Sequence, residues 1–232
     1  MKRILIACIW ILFSAEVFGQ PILAPGKPEE AGFSTERLAR IDQTIQEHLT
    51  AGHIPGAVVF IARNGKIVYH KAFGYSDVDA KTPLKKDDIF RMASQSKAIT
   101  SLAIMMLWEE NKLQLDDPVS KFIPEFKNPR VMTRFNLADS SYASEPAKSE
   151  VTIRQLLTHT SGIDYAGIGS QEFKAIYAKA GISSGIGGEA GPTIGEKMKK
   201  LGTLPLKHHP GERFTYGLNT DVLGYIVEIA SG

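Results

Sequence analysis

Cysteine is almost missing from this chain. Cys8 is the only one in 232 residues, so no intramolecular disulfide and no thiolate cluster for a metal can form, and a cysteine nucleophile is excluded because Cys8 lies in an N-terminal stretch expected to be removed. Charge of one sign is lacking too. The formal balance is only +2 with both signs spread along the chain, which gives no electrostatic footprint for nucleic acid. Histidine ligand spacings are also wanting. His208 and His209 are adjacent and cannot share a helix face, and no His-Glu-x-x-His occurs, so neither a metal nor any other cofactor is expected. No apolar run approaches the roughly 20 residues that cross a bilayer, and no internal repeat is visible.

What is present at the start has three parts. Met1-Lys2-Arg3 is basic, Ile4 to Phe13 is apolar, and Ser14 to Gln20 contains small residues before a cut. This order predicts a secretory leader over 1–19, cleaved after Gly19, with the mature protein exported to a periplasm or secreted and no membrane span left behind. Almost nothing apolar precedes the Leu5-Ile6-Ala7-Cys8 box, which argues against lipidation. Cys8 would leave with the leader.

Downstream, hydrophobic content of 43% suits one sizeable core and a small second subdomain. Gln20 to Gly32 reads as an extended lead-in. Ser34 is a candidate N-cap for a helix carrying Leu38, Ile41, Ile45 and Leu49 at helical spacing. Gly56 to Ala62 and Ile67 to Gly74 read as two strands around Asn64-Gly65, a pair suited to a tight turn that needs positive φ twice. From Ile89 to Trp108 the sequence is apolar nearly all round, which predicts a central buried helix whose N-terminal end faces a cleft. Helical pieces are expected from Asp116 to Pro124, Val151 to Leu157, Gln171 to Ala180 and Thr193 to Leu201, and a last helix from Asp221. The middle third is therefore expected to be all-helical, and Gly181 to Gly191 a flexible loop. Two strands alone do not form a stable sheet; the hairpin is expected to lack partners within this chain, as if the sequence were cut short.

Ser94 and Lys97 stand three residues apart at the head of the apolar helix, where positions i and i+3 share a face. A serine needs a neighbouring base to become a nucleophile. By composition alone about one Ser-x-x-Lys is expected by chance in such a chain. The local pattern is met equally by a helix-start serine followed by a solvated lysine. Gly181-Ile182-Ser183-Ser184-Gly185 also fits Gly-x-Ser-x-Gly, but that elbow needs a strand before it and a helix after it, and neither is expected here.

Four segments taken together say more: Phe90-Arg91-Met92-Ala93-Ser94-Gln95-Ser96-Lys97, Leu113 to Val119, Leu156-Leu157-Thr158-His159-Thr160-Ser161-Gly162, and Pro210-Gly211-Glu212-Arg213-Phe214-Thr215-Tyr216. In this order the chain, from about Gly32 onward, resembles the serine β-lactamase and penicillin-binding-protein superfamily, above all the class C β-lactamase-like hydrolases and esterases. The resemblance implies an α/β (α+β) fold, an antiparallel sheet with a helical subdomain over about 113–212, of which only the N-terminal hairpin of the sheet would be present. It implies Ser94 as the acylated nucleophile, Lys97 as its proton acceptor and Tyr216 as the tyrosine that shares proton transfer, with His159 structural. A neutral Lys97, or a charged one holding Tyr216 as phenolate, would both serve.

Two departures matter. Where the family often has Tyr-x-Asn, position 218 is Leu and the asparagine comes one residue later at Asn219, which tilts the expected small-molecule substrate from β-lactam or amide towards ester. The family's third motif, a Lys-Thr-Gly-like triad that supplies an oxyanion amide, is missing. Losing one such donor costs about 10²–10³ in rate, so these 232 residues alone are expected to be a poor catalyst or a misfolded product. The rival expectations are a β-lactamase or D,D-peptidase on the same scaffold and a binding sensor without turnover.

Overall fold

A computed structural model describes residues 23–182 and 191–232. The leader expected over 1–19 and the serines of the elbow-like motif, Ser183 and Ser184, lie outside the described residues. The chain divides into two compact units, with the boundary between Phe90 and Arg91.

In the first unit, helix α1 (Thr35–Thr50) starts where the sequence places it. Ser34 Oγ accepts from the Arg37 amide at 3.2 Å, the N-cap bond that removes an orphan donor. The strands β2 (Gly56–Arg63) and β3 (Lys66–Asp77) pair antiparallel, with Gly56 opposite Gly74 and a bulge after Ile61. Their turn takes positive φ at both Asn64 (52°) and Gly65 (72°), as the Asn-Gly pair predicts. Tyr69 on β3 donates to Asp42 of α1 at 2.9 Å and Lys71 joins the same carboxylate at 2.8 Å. Burial, then Asp42, pushes the Tyr69 phenol up to about 12.

The hairpin does have partners, contrary to expectation. β1 (Ala24–Pro25) pairs parallel with β3 and β4 (Thr82–Pro83) pairs antiparallel with its far end, giving the order β1-β3-β2 with β4 also on β3. Two-residue strands, each ending in a proline, carry no alternation to read, yet each can still offer backbone groups to an open edge. Among the described residues β2 keeps one edge unpaired, and Phe60 on it is 48% exposed.

The second unit is built on helix α2 (Ser96–Glu109) and helix α6 (Asn219–Ser231), which pack on each other, with α3 (Ile153–Leu157), α4 (Gln171–Lys179) and α5 (Ile194–Gly202) completing the core. Ile104, Leu156, Phe173, Tyr177, Leu218 and Leu223 are almost wholly buried in it. The short helices are started by capping boxes, Thr152 with Gln155 and Thr193 with Glu196. α6 begins two residues earlier than Asp221.

Two expectations fail here. The middle third is not all-helical, since β5 (Arg130–Phe135) and β6 (Tyr142–Pro146) form a second hairpin. Arg130, Thr133 and Arg134 disguise its alternation, and its register is fixed from elsewhere: the Met132 amide donates to the Leu206 carbonyl at 2.9 Å, and the Leu206 amide returns to Arg130 at 2.7 Å. Nor is α2 buried all round. Ile104 and Leu107 face the core, whereas Ile99, Leu102 and Met106, an i, i+3, i+7 stripe on the opposite side, are each more than half exposed.

Candidate active site

Ser94 sits in a single 3₁₀ turn, Ala93–Gln95, that runs directly into α2. Ala93 before it has φ of 46°, a strained setting for a residue with a Cβ, of the kind found where a functional side chain is re-aimed. Lys97 follows in the first turn of α2. Its Nζ lies 3.5 Å from Ser94 Oγ and 5.0 Å from the centroid of the Tyr216 ring, and the Tyr216 hydroxyl is 2.8 Å from Ser94 Oγ. The three residues singled out from the sequence thus converge, across 122 positions of chain between Ser94 and Tyr216.

Tyr216 arrives on the segment before α6. The Thr215 amide donates to the His159 carbonyl at 2.7 Å, the Gly217 amide to His159 Nδ1 at 3.4 Å and the Leu218 amide to the Asp164 carbonyl at 3.2 Å. Gly217 must be glycine, because a Cβ there would lie 2.1 Å from the Ile163 carbonyl oxygen. The Tyr216 ring stacks on His159 at 5.0 Å and on Tyr165 at 5.7 Å. Tyr165 is in turn fixed by Asp164, whose side chain accepts from the amides of Tyr165 (2.9 Å) and Ser170 (3.2 Å) and pairs with Lys207 at 2.8 Å.

Electrostatics follow from these contacts. Lys97, and next Ser94, hold the Tyr216 phenol below its ordinary range, and burial only partly opposes them. Burial, reinforced by Lys97, lowers the His159 imidazole. Asp221 is pushed up by burial, its own amide and Lys97 opposing. A cavity of about 500 Å³ opens at Ser94, lined also by Arg91, Lys97, Tyr165, Thr220 and Asp221. The N-terminal end of α2 faces a cleft, as expected.

The asparagine that looked misplaced in the sequence is occupied elsewhere. Asn219 is completely buried; its Oδ1 accepts from Ser161 and its Nδ2 donates to His159 Nδ1 at 2.9 Å. Leu218 is in the core. Neither offers a carboxamide to the cavity. Tyr165 and Asp221 went unnoticed in the sequence: Tyr165 follows a glycine turn with no periodicity, and Asp221 was read only as the start of a helix. Among the described residues no group of three or more His, Cys, Asp or Glu is placed to hold a metal, and no helix is long and apolar enough to cross a membrane.

A family model described as Beta-lactamase matches residues 41–232. The chain belongs to the beta-lactamase family. Among curated relatives, Esterase EstB of Burkholderia gladioli is 40% identical over 84% of this chain and 45% of its own length. Of solved structures, EstCE1, described as a hydrolase with promiscuous acyltransferase activity, shares 35% identity over 84% of this chain and 47% of its own, with a TM-score of 0.70. LovD, the simvastatin synthase of Aspergillus terreus, superposes with a TM-score of 0.67 over 86% of this chain and 48% of its own. At 24% identity that last likeness carries the beta-lactamase fold alone. The chain spans about half the length of the relatives it matches.

Proposed function

We propose that the protein is an exported serine hydrolase that cleaves small-molecule esters through an acyl-enzyme on Ser94. The observation that carries the reading is the 2.8 Å contact between Ser94 Oγ and the Tyr216 hydroxyl, with the Lys97 ammonium beside both. Lys97 favours the phenolate of Tyr216, which takes the Ser94 proton as Oγ attacks the ester carbonyl. The tetrahedral intermediate expels the alcohol, which leaves with the proton returned by Tyr216. A water then attacks the acyl-serine, gives its proton to Tyr216 and releases the acid, and the proton passes back to Ser94.

The ester preference is supported by the positions of Leu218 and Asn219, which leave no carboxamide to hold a substrate amide, and by the names of EstB and EstCE1. EstCE1's acyltransferase activity favours a second reading, in which an alcohol replaces water at the deacylation step. Export is supported by the basic, apolar and small-residue order of residues 1–20.

The test uses the full-length protein. Ser94→Ala should abolish hydrolysis of a chromogenic short-chain nitrophenyl ester and labelling by a fluorophosphonate. Unchanged hydrolysis would sink the assignment. Faster turnover of a chromogenic cephalosporin than of the ester would make it a β-lactamase, and the absence of both labelling at Ser94 and turnover would make it a sensor that only binds.

A further inference from the structure

His159 is tied to the Tyr216 segment through both its main chain and its ring. Its backbone is left-handed, φ 54°, which turns its carbonyl towards the Thr215 amide at 2.7 Å. Its Nδ1 faces two donors, the Gly217 amide and Asn219 Nδ2. An amide N–H can only donate. Asn219 is oriented by Ser161, whose hydroxyl donates to Asn219 Oδ1 and accepts the Ile163 amide at 3.1 Å, so Nδ2 points its hydrogens at the imidazole. Nδ1 must therefore carry a lone pair, and the neutral ring holds its proton on Nε2.

We infer that His159 is a positioning residue that works only as the neutral imidazole: its Nδ1 lone pair fixes residues 217 and 219 around Tyr216, and a proton on Nδ1 breaks that clamp and withdraws Tyr216 from Ser94. The inference rests on the proposed role of Tyr216. The ring is hemmed in by Tyr216 on one side, Phe214 at 5.7 Å, Asn219 from α6 and the Lys97 charge from α2. It forms no ion pair with an Asp or Glu among the described residues, so nothing there compensates an imidazolium. The lowered pKa of His159 agrees with this.

The test compares kcat and KM for a neutral ester between about pH 4 and 8, the range of histidine titration, in full-length wild type, His159→Asn and His159→Ala. Asn keeps an acceptor near the position of Nδ1, tolerates positive φ and cannot be protonated there. His159→Asn is expected to keep wild-type kcat within about threefold at the upper end and to lose the acid limb at imidazole pH, while His159→Ala loses about tenfold or more in kcat with little change in KM. A wild-type acid limb in His159→Asn, or wild-type kcat in His159→Ala, overturns the inference. Should a variant fail to fold, ¹⁵N-histidine-labelled wild type decides: one ring must show the Nε2–H tautomer and protonate at the midpoint of the acid limb, and the absence of such a ring overturns it. Ser94→Ala separates the two levels, because residual activity there removes the parent reading, whereas an inactive Ser94→Ala with an unmoved acid limb in His159→Asn removes this inference alone.

Discussion

The two arms that meet at the cavity are held very differently. Ser94 stands on one 3₁₀ turn closed by main-chain bonds alone, from the Gln95 amide to the Met92 carbonyl at 3.1 Å and from the Ser96 amide to the Ala93 carbonyl, with Met92 itself nearly half exposed. Tyr216 is held by many contacts: main-chain bonds at Thr215, Gly217 and Leu218, stacking on the rings of His159 and Tyr165, and beyond them the buried Asn219 and the Asp164–Lys207 pair. The proposed proton acceptor, not the proposed nucleophile, is the more tightly determined half. A hydroxyl can find the right rotamer by itself, whereas an aromatic ring must be aimed by its backbone and neighbours.

The comparison can be broken most sharply at Tyr216 itself. Tyr216→Phe keeps the ring and its stacking but removes the hydroxyl, and kcat for ester hydrolysis should fall by about 10²–10⁴ with the melting temperature unchanged; a smaller loss would move the proton-accepting role to Lys97. Gly217→Ala comes next. The added methyl meets two carbonyl oxygens, Ile163 and Asp164, that are part of the packed backbone, and overpacking of this kind should cost about 1–3 kcal/mol in urea denaturation together with activity.

Asp164 gives a pH dependence. Burial works to raise its carboxyl, but Lys207 and the amides of Tyr165 and Ser170 outweigh that and hold it below the ordinary carboxylate range. Its contribution is then present above the unfolded value near 3.9 and lost as pH falls through the lower folded one. Asp164→Asn should flatten the acid side of the stability profile below about pH 4; an identical profile would show that the pair leaves the clamp unaffected. The smallest effect belongs to the other arm. Gln95→Ala, at an exposed side chain beside Ser94, should change stability by less than about 0.5 kcal/mol, and a larger loss would erase the contrast between the arms.

Local signals were legible in the sequence wherever they were local in cause. Asn64-Gly65 and Ser34 specify a turn and a cap through their own side chains and φ preferences, and the structure follows them. The identities of Ser94, Lys97 and Tyr216 came from ordered motifs, and their meeting needed the fold. β5 stayed hidden because what pins it is Leu206, about 75 residues further on. The open stripe of α2 was illegible because composition reports that a face is apolar, not whether anything covers it. The displacement of Asn219 was legible but its task was not, for a related reason: an amide's task depends on which partners the fold presents, and here Ser161 and His159 took both ends of it.

The free edge of β2 has a consequence for handling the protein. Among the described residues, the side of Gly56–Arg63 turned away from β3 pairs with no strand and carries the half-exposed Phe60, a template on which another copy can add strand by strand. Solutions of this chain should therefore scatter more light as concentration rises, and a lysine in place of Phe60 is the change that would keep them clear.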